Sequence, residues 1–308
     1  MKIYRGIEEF NPVQNAVVTS GTFDGVHLGH KVILKRLIQL AKKRQGESVV
    51  LTFWPHPRFV LYPNDTSLKL LSTFQEKASY LSDLGIDHLI KIEFTKKFSQ
   101  LSSEEFIHNI LIDKIGTKLL VIGYDHRFGK NREGSFQYLA NNSHKYGFEI
   151  EEIPRQDIEN IAVSSTKIRN ALESGEIKTA NEFIGNNYSL TGKVIKGSQI
   201  GRDLGFPTAN IVVEESYKLI PADGAYAVKI GYQDRWYNGM LNIGFRPTVN
   251  GTTRTIETHI FDFNQNLYGQ VLTIGFVEKI RGEKKFENLE ALSKQLTLDR
   301  KDAMKILD

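Results

Sequence analysis

Two histidines three residues apart, His27 and His30, close the run Gly21-Thr22-Phe23-Asp24-Gly25-Val26-His27-Leu28-Gly29-His30. Gly21 and Gly25 let the backbone turn tightly and approach a ligand closely. If a helix begins here, its free N–H groups and positive dipole end suit phosphate. The two imidazoles then project from one face toward the same place. There they can donate hydrogen bonds to phosphate oxygens as charge builds up in a transition state. The same pair would also suit a metal, or stand idle on the surface. Ser164-Ser165-Thr166-Lys167-Ile168-Arg169 offers hydroxyls at a helix start together with a forked cation. Taken alone, it reads as an ordinary Ser/Thr cap followed by a solvated arginine.

A second concentration of chemistry lies further along. Gly197, Gly201 and Gly205 make the stretch up to Phe206-Pro207-Thr208-Ala209-Asn210 a pliable loop able to fold over phosphates. In extended backbone Thr208 and Asn210 point to one side, a hydroxyl and an amide oxygen suited to Mg²⁺. By itself the run reads as a glycine-rich hairpin with a bulge. In Thr255-Ile256-Glu257-Thr258-His259-Ile260-Phe261 the residues Glu257, His259 and Phe261 share a strand face. Glu257 there suits either a general base or a cross-strand ion pair.

These residues need elements to hold them. Strand signals at Ala16–Ser20, Val49–Phe53, His88–Ile92, Lys118–Ile122 and Glu149–Ile153 alternate with helical periodicity at Leu28–Lys43, Phe74–Leu84, Phe106–Ile115 and Phe136–Tyr146. Ser102-Ser103-Glu104-Glu105 reads as a capping box opening the third of these helices. The alternation predicts a parallel α/β sheet with ligands at the carboxyl ends of its strands. Beyond Gly185 the texture changes. Strands at Leu190–Lys196, Ala225–Ile230, Trp236–Ile243, Thr255–Phe261 and Val271–Val277 follow one another, which predicts an antiparallel barrel or sandwich. Asn288–Leu307 is an amphipathic helix, expected to be structural.

At 308 residues, two domains are expected. A 40% hydrophobic and 25% charged chain is not a disordered one. The net charge of +4 is spread over both parts with no basic lobe, which argues against a nucleic-acid partner. The lack of cysteine excludes disulfides, thiolate zinc sites and cysteine nucleophiles, and fits a reducing compartment. The N-terminal residues carry no apolar signal core and no run is long enough to cross a bilayer, so a cytoplasmic protein without a membrane partner is expected.

The first run resembles the H-x-G-H signature of nucleotidylyltransferases, and Ser164–Arg169 resembles their S-S-T-x-x-R motif. Val121-Ile122-Gly123-Tyr124-Asp125-His126-Arg127-Phe128-Gly129 resembles the G-x-(Asp/Asn)-x-x-F-G element of bacterial FAD synthetases, which adenylylate FMN. His126 stands where an aromatic residue is more usual and receives no role. Trp54-Pro55-His56-Pro57 is similar to that family's F-x-P-H-P stretch and equally to a simple turn. The Gly197–Asn210 run resembles the G-x-P-T-A-N signature of riboflavin kinases. Asn242–Thr248, Thr255–Phe263, Tyr268-Gly269 and Arg281–Phe286 are similar to further segments of that family, in order.

The resemblance covers nearly the whole chain, in the domain order of the bifunctional bacterial family. It implies a Rossmann-like α/β nucleotidylyltransferase domain at 1–185, then an antiparallel β-barrel kinase domain with a C-terminal helix at 186–308. The kinase would convert riboflavin and ATP into FMN. The other domain would convert FMN and ATP into FAD and pyrophosphate. His27, His30, Arg169 and Glu257 are implied as catalytic. Gly21, Phe23, Asp24, Gly29, Asp125, Ser164, Ser165, Thr166, Gly197, Gly201, Arg202, Gly205 and Pro207 are implied at nucleotide or phosphate, Phe206 and Arg281 at flavin, and Thr208 and Asn210 at Mg²⁺. One alternative is a nucleotidylyltransferase for another phosphorylated acceptor with a barrel that only binds. Another is a non-enzymatic barrel that binds flavin or RNA. The P-T-A-N run and the Glu257 strand argue against the former, and the even charge against RNA.

Overall fold

The structure is a computed structural model that describes residues 1–154, 163–197, 201, 204–248 and 251–308, with backbone alone at 143, 246–248 and 251–253. It divides into two compact units, Met1–Leu68 with Phe74–Ser164, and Lys69–Thr73 with Ser165–Asp308.

In the first unit, β1 (Lys2–Tyr4), β2 (Val17–Ser20), β3 (Ser48–Trp54), β4 (His88–Glu93), β5 (Leu119–Gly123) and β6 (Glu149–Ile153) form one parallel sheet in the order β1-β4-β3-β2-β5-β6. Helices α1 (Leu28–Lys43), α2 (Pro57–Leu61), α3 (Phe74–Leu84), α4 (Ser103–Phe106) and α5 (Phe136–Tyr146) fall between the strands. Alternate strand residues feed two cores, as a sheet covered on both faces requires. Val18, Leu51 and Ile122 pack with Phe106 and Leu111, while Val17, Val50 and Val121 pack with Leu34, Leu37 and Leu81. The strand order reverses direction between β2 and β5. That is the switch point where ligands of such sheets bind.

The capping box is present. Ser102 Oγ accepts from the Glu105 N–H at 3.1 Å, and Glu105 Oε2 accepts from the Ser102 N–H at 2.7 Å. The helix therefore starts at Ser103 rather than Phe106, and from Ile107 to Ile112 its turns widen to the π form. Strand β1 gives no sequence signal because it is three residues long and mostly exposed.

The second unit opens with α6 (Ser165–Ser174) and α7 (Ile177–Ile184). Strands β7 (Ser189–Ile195), β8 (Ala209–Val212), β9 (Gly224–Tyr232), β10 (Arg235–Thr248), β11 (Gly251–Ile260) and β12 (Val271–Arg281) then close a barrel in the order β10-β11-β8-β7-β12-β9, with every pairing antiparallel. Closure decides between the barrel and the sandwich. Strand β8 falls within the stretch that the sequence presents as a loop; four residues beside Gly and Pro carry too little pattern to register. One alternation of side chains, including Tyr226, Val228, Leu241, Ile243, Ile274 and Phe276, is buried in the barrel. The opposite alternation meets α8 (Leu289–Leu307) on the outside, where Ala227, Met240 and Phe261 pack with Ala303, Leu296 and Ile306.

Lys69–Thr73 is stitched into this unit. Leu70 N donates to Tyr217 O at 2.7 Å, Leu219 N donates to Leu70 O at 2.8 Å, and the buried Lys218 Nζ donates to the Leu71 and Ser189 carbonyls, each at 2.7 Å. Among the described residues no helix is long and apolar enough to cross a membrane.

Candidate active sites

The first site stands at the carboxyl end of β2. The chain leaves the sheet at Gly21, where a Cβ would crowd the Phe23 ring at 3.1 Å. Phe23 and Val26 then adopt φ of 45° and 41°, conformations that cost non-glycine residues energy and mark a turn fixed by its surroundings. Phe23 and Asp24 are buried, and Gly29 lies in the first turn of α1. His27 caps that helix, its Nδ1 accepting from the His30 N–H at 3.4 Å. The bond leaves His27 Nδ1 engaged with the backbone at the helix start. The two rings stack at 3.7 Å between centroids, and Phe23 meets His30 edge-on at 5.3 Å. His30 Nδ1 is a buried nitrogen without a hydrogen-bond partner. Burial, then the neighbouring His27 and Lys77, hold the His30 pKa well below its ordinary value, so the ring is neutral.

Strand β5, on the other side of the switch point, ends at Gly123 and leads to Asp125, which is exposed. Its neighbour His126 is the residue that turns into the structure. His126 Nε2 lies 3.2 Å from Ser20 Oγ, and burial beside Arg127 and Arg132 pushes its pKa down to about 4. His126 thus ties the ends of β2 and β5 together. His56 caps α2 through Nδ1, which accepts from Arg58 N at 3.2 Å. Ser164 ends the first compact unit, while Ser165, Thr166 and Arg169 open α6 in the second, with Arg169 Nε donating to Lys69 O at 2.6 Å.

The second site is built on one rung of the barrel wall. Register places Asn210 of β8 opposite Glu257 of β11, Glu257 opposite Asn242 of β10, Asn242 opposite Ala225 of β9, and Ala225 opposite Arg281 of β12. Directly opposed residues share a face, here the outer one that α8 partly covers. A cavity of about 230 Å³ opens over it, bordered among others by Phe206, Thr208, Asn242, Glu257, His259 and Arg281. Glu257 is 9% exposed and its Oε1 accepts from Thr255 Oγ1 at 3.3 Å. His259 Nδ1 donates to the Pro207 carbonyl at 2.8 Å, which ties the P-T-A-N loop to β11. Burial lowers the His259 pKa, partly offset by that bond. Phe206 packs edge-on to His259 at 5.5 Å, and its N–H donates to Gly201 O at 2.7 Å. Gly205 uses a φ of +81° to make the turn between them.

Gly197 matters for what it lacks. A Cβ there would stand 2.1 Å from Asn210 Nδ2, so the amide occupies the space a side chain would take. Thr208 and Asn210 thus bring neutral oxygens to the rung that carries Glu257, a donor set suited to Mg²⁺. Arg281 is fixed by Asp299 of α8, with Nε to Oδ1 at 2.9 Å and a second nitrogen to Oδ2 at 2.7 Å, and Gln295 also donates to Asp299. The C-terminal helix, expected to be structural, therefore also borders the cavity and orients one of its cations. Arg202 lies outside the described residues.

Sequence reasoning missed Lys77, Asn242 and Asp299. Lys77 shares the helical stripe of Phe74 and Leu81, and a charge on an apolar stripe was the available signal. Asn242 and Asp299 gain meaning only through strand register and helix docking.

A switch-point α/β sheet, joined in one chain to a barrel with its own polar cavity, is the build of a two-site transferase. A family model for FAD synthetase matches residues 10–167, and one for riboflavin kinase matches residues 184–307. The chain is 39% identical over 304 residues to a bifunctional riboflavin kinase/FMN adenylyltransferase of Buchnera aphidicola subsp. Schizaphis graminum, covering 97% of this chain and 96% of that one. To the protein of the same name from Escherichia coli (strain K12) it is 34% identical over 302 residues, again with 97% and 96% covered. A solved structure from Streptococcus pneumoniae, described as a macrolide-efflux protein, matches with a TM-score of 0.86 at 30% identity, covering 97% of this chain and 96% of that chain. The chain belongs to the bifunctional riboflavin kinase/FMN adenylyltransferase family.

Proposed function

We propose that this chain makes flavin cofactors in two steps: riboflavin and ATP to FMN and ADP at the barrel, then FMN and ATP to FAD and pyrophosphate at the parallel sheet. The observation that carries the reading is the rung Glu257–Asn242–Ala225–Arg281 facing a cavity, with Asn210 paired to Glu257, in a chain that also presents His27 and His30 at the start of α1. The efflux description of the Streptococcus relative has no counterpart in these residues, whose types suit group transfer. The catalytic division is placed at 1–185 and 186–308.

In the kinase step Glu257 takes the proton of the riboflavin 5′-hydroxyl as that oxygen attacks the γ-phosphorus and ADP departs. Ala225 leaves room above the rung, Phe206 lies against the flavin, and Arg281, held by Asp299, meets phosphate or flavin oxygens. Gly197, Gly201, Gly205 and Pro207 shape the loop over ATP, and Arg202 is assigned to the same loop. Thr208 and Asn210 would hold Mg²⁺, which offsets polyphosphate charge when bound.

In the adenylylation step the acceptor is already a phosphate anion, so no base is needed. Its oxygen attacks the α-phosphorus, the bond to the bridging oxygen breaks, and pyrophosphate leaves. His27 and neutral His30 donate to the phosphate oxygens as charge accumulates. Gly21, Phe23, Asp24 and Gly29 shape the phosphate turn. Asp125, Ser164, Ser165, Thr166 and Arg169 are assigned to the nucleotide. Both steps draw on ATP, and a cytoplasmic location without membrane or nucleic-acid partners belongs to the same reading.

Incubation of the full chain with riboflavin, ATP and Mg²⁺, followed by chromatographic separation of the flavins, tests this. FMN should appear first and FAD after it. A protein that yields neither flavin, while binding riboflavin tightly, would favour the binding-only barrel instead.

A further inference from the structure

The least expected group in the first unit is a lysine. Lys77 is 4% exposed, on a helix whose stripe otherwise supplies apolar residues to the core. Long charged side chains normally carry their heads to water, and a buried ammonium is costly unless something anionic repays it. The Lys77 Nζ donates to Thr52 Oγ1 at 3.2 Å, and Thr52 Oγ1 in turn donates to the carbonyl of Thr22 at 3.3 Å. This chain ends inside the glycine-bearing turn, at the carboxyl ends of β2 and β3. The charged and titratable groups around it include Asp24 in that turn and His30 on α1, whose ring stacks on the capping His27, with Glu76 preceding it on α3. Lys91 of β4 lies over the Phe74 ring one turn away.

His30 and Lys77 therefore share one buried place with Asp24 of the turn. Such an arrangement is unfavourable when empty and favourable when a polyanion enters. The unpartnered His30 Nδ1 is a second sign of a site built for a ligand. We propose that Lys77 is the buried cation of the adenylyl-transfer site, facing the polyphosphate of ATP. The inference rests on the adenylyltransferase reading of this unit. The state of the empty site supports it: burial pushes the Lys77 pKa down to about 8, with Asp24 opposing the shift. A lysine held below its ordinary pKa by burial gains protonation when an anion arrives beside it.

The test is calorimetric titration of the full chain with MgATP, without riboflavin or FMN, at pH 8 in buffers of different ionisation enthalpy. Wild type should take up a measurable fraction of a proton on binding. Lys77→Met and Lys77→Arg should both lose that fraction, since neither can titrate, and any contribution from the barrel site is common to all three proteins. FMN adenylylation should fall by roughly 10²–10³ in Lys77→Met, the scale for losing one preorganised group at a developing charge, and by less in Lys77→Arg. The riboflavin kinase rate, measured on the same preparations, reports that the variants are folded. Uptake that survives in Lys77→Met overturns the proposal. So does a wild type that takes up no proton at pH 8, however the variants behave. A wild type that makes no FAD from FMN would overturn the functional reading instead.

Discussion

Around His30 the first unit gathers imidazoles and a lysine at the strand ends, whereas around Glu257 the second lays amides, a carboxylate and, at the far end, Arg281 across one rung of a barrel wall. Both places suit ATP, so nucleotide alone does not explain the contrast. The acceptor does. On the proposed reading an FMN phosphate arrives ionised and repels the nucleotide, so its site supplies cations and neutral donors. A riboflavin hydroxyl arrives with its proton, and its site supplies a base. The difference teaches that side-chain polarity in a phosphate-transfer site reports the protonation state of the attacking group.

The comparison can be broken most sharply at its two poles. Glu257→Gln should lower FMN formation by about 10²–10⁴ while adenylylation of added FMN stays within about twofold of wild type. Near-normal riboflavin phosphorylation would remove Glu257 from the chemistry. The reciprocal change, His30→Ala, should slow FAD formation by roughly 10²–10³, so that FMN accumulates when riboflavin and ATP are supplied. Unchanged FAD output would sink the contrast from the other side.

Two smaller effects sharpen it. Asp299→Asn weakens a paired set of charged hydrogen bonds to Arg281, and the KM for riboflavin should rise roughly tenfold with adenylylation untouched; steady-state kinetics on both reactions decides this. Asn210→Ala should move the Mg²⁺ titration of kinase activity to higher concentration. A superimposable curve would take Asn210 out of the metal site. The smallest effect concerns stability. His126 has a folded-state pKa of about 4 against 6.5 for an ordinary histidine. The unfolded chain therefore binds its proton first, and stability is lost as pH falls from about 6.5 through 4. His126→Gln should flatten that acid limb in thermal melts by a few degrees.

Much of this organisation is legible in the residues. The change from helical to two-residue periodicity after Gly185 marks the change of architecture, and Gly21–His30 carries the pattern of a glycine-bearing turn that leads into a helix. Glu257, His259 and Phe261 share a face by strand parity alone. What stays hidden depends on pairings between distant segments. That Asn210, Glu257 and Asn242 form a rung follows from register, which no local pattern carries. That the rung faces outward, under α8, follows from which alternation the closed barrel swallows. Lys77 was visible only as an irregularity in an apolar stripe, and its meaning required Thr52 and Thr22 beside it.

The segment Lys69–Thr73 carries a consequence for how the protein is made. Its backbone partners at Tyr217 and Leu219, and the ammonium of Lys218 that caps Leu71, are encoded about 150 residues later. During synthesis that strip leaves the ribosome long before anything exists to receive it. That strip, a piece of the second unit set within the sequence of the first, must therefore wait with its carbonyl and N–H groups in water. Its partners exist only once the chain beyond Leu219 has emerged, so a ribosome stalled before that point would hold the first unit's strands together with one strip whose fold has not yet been made.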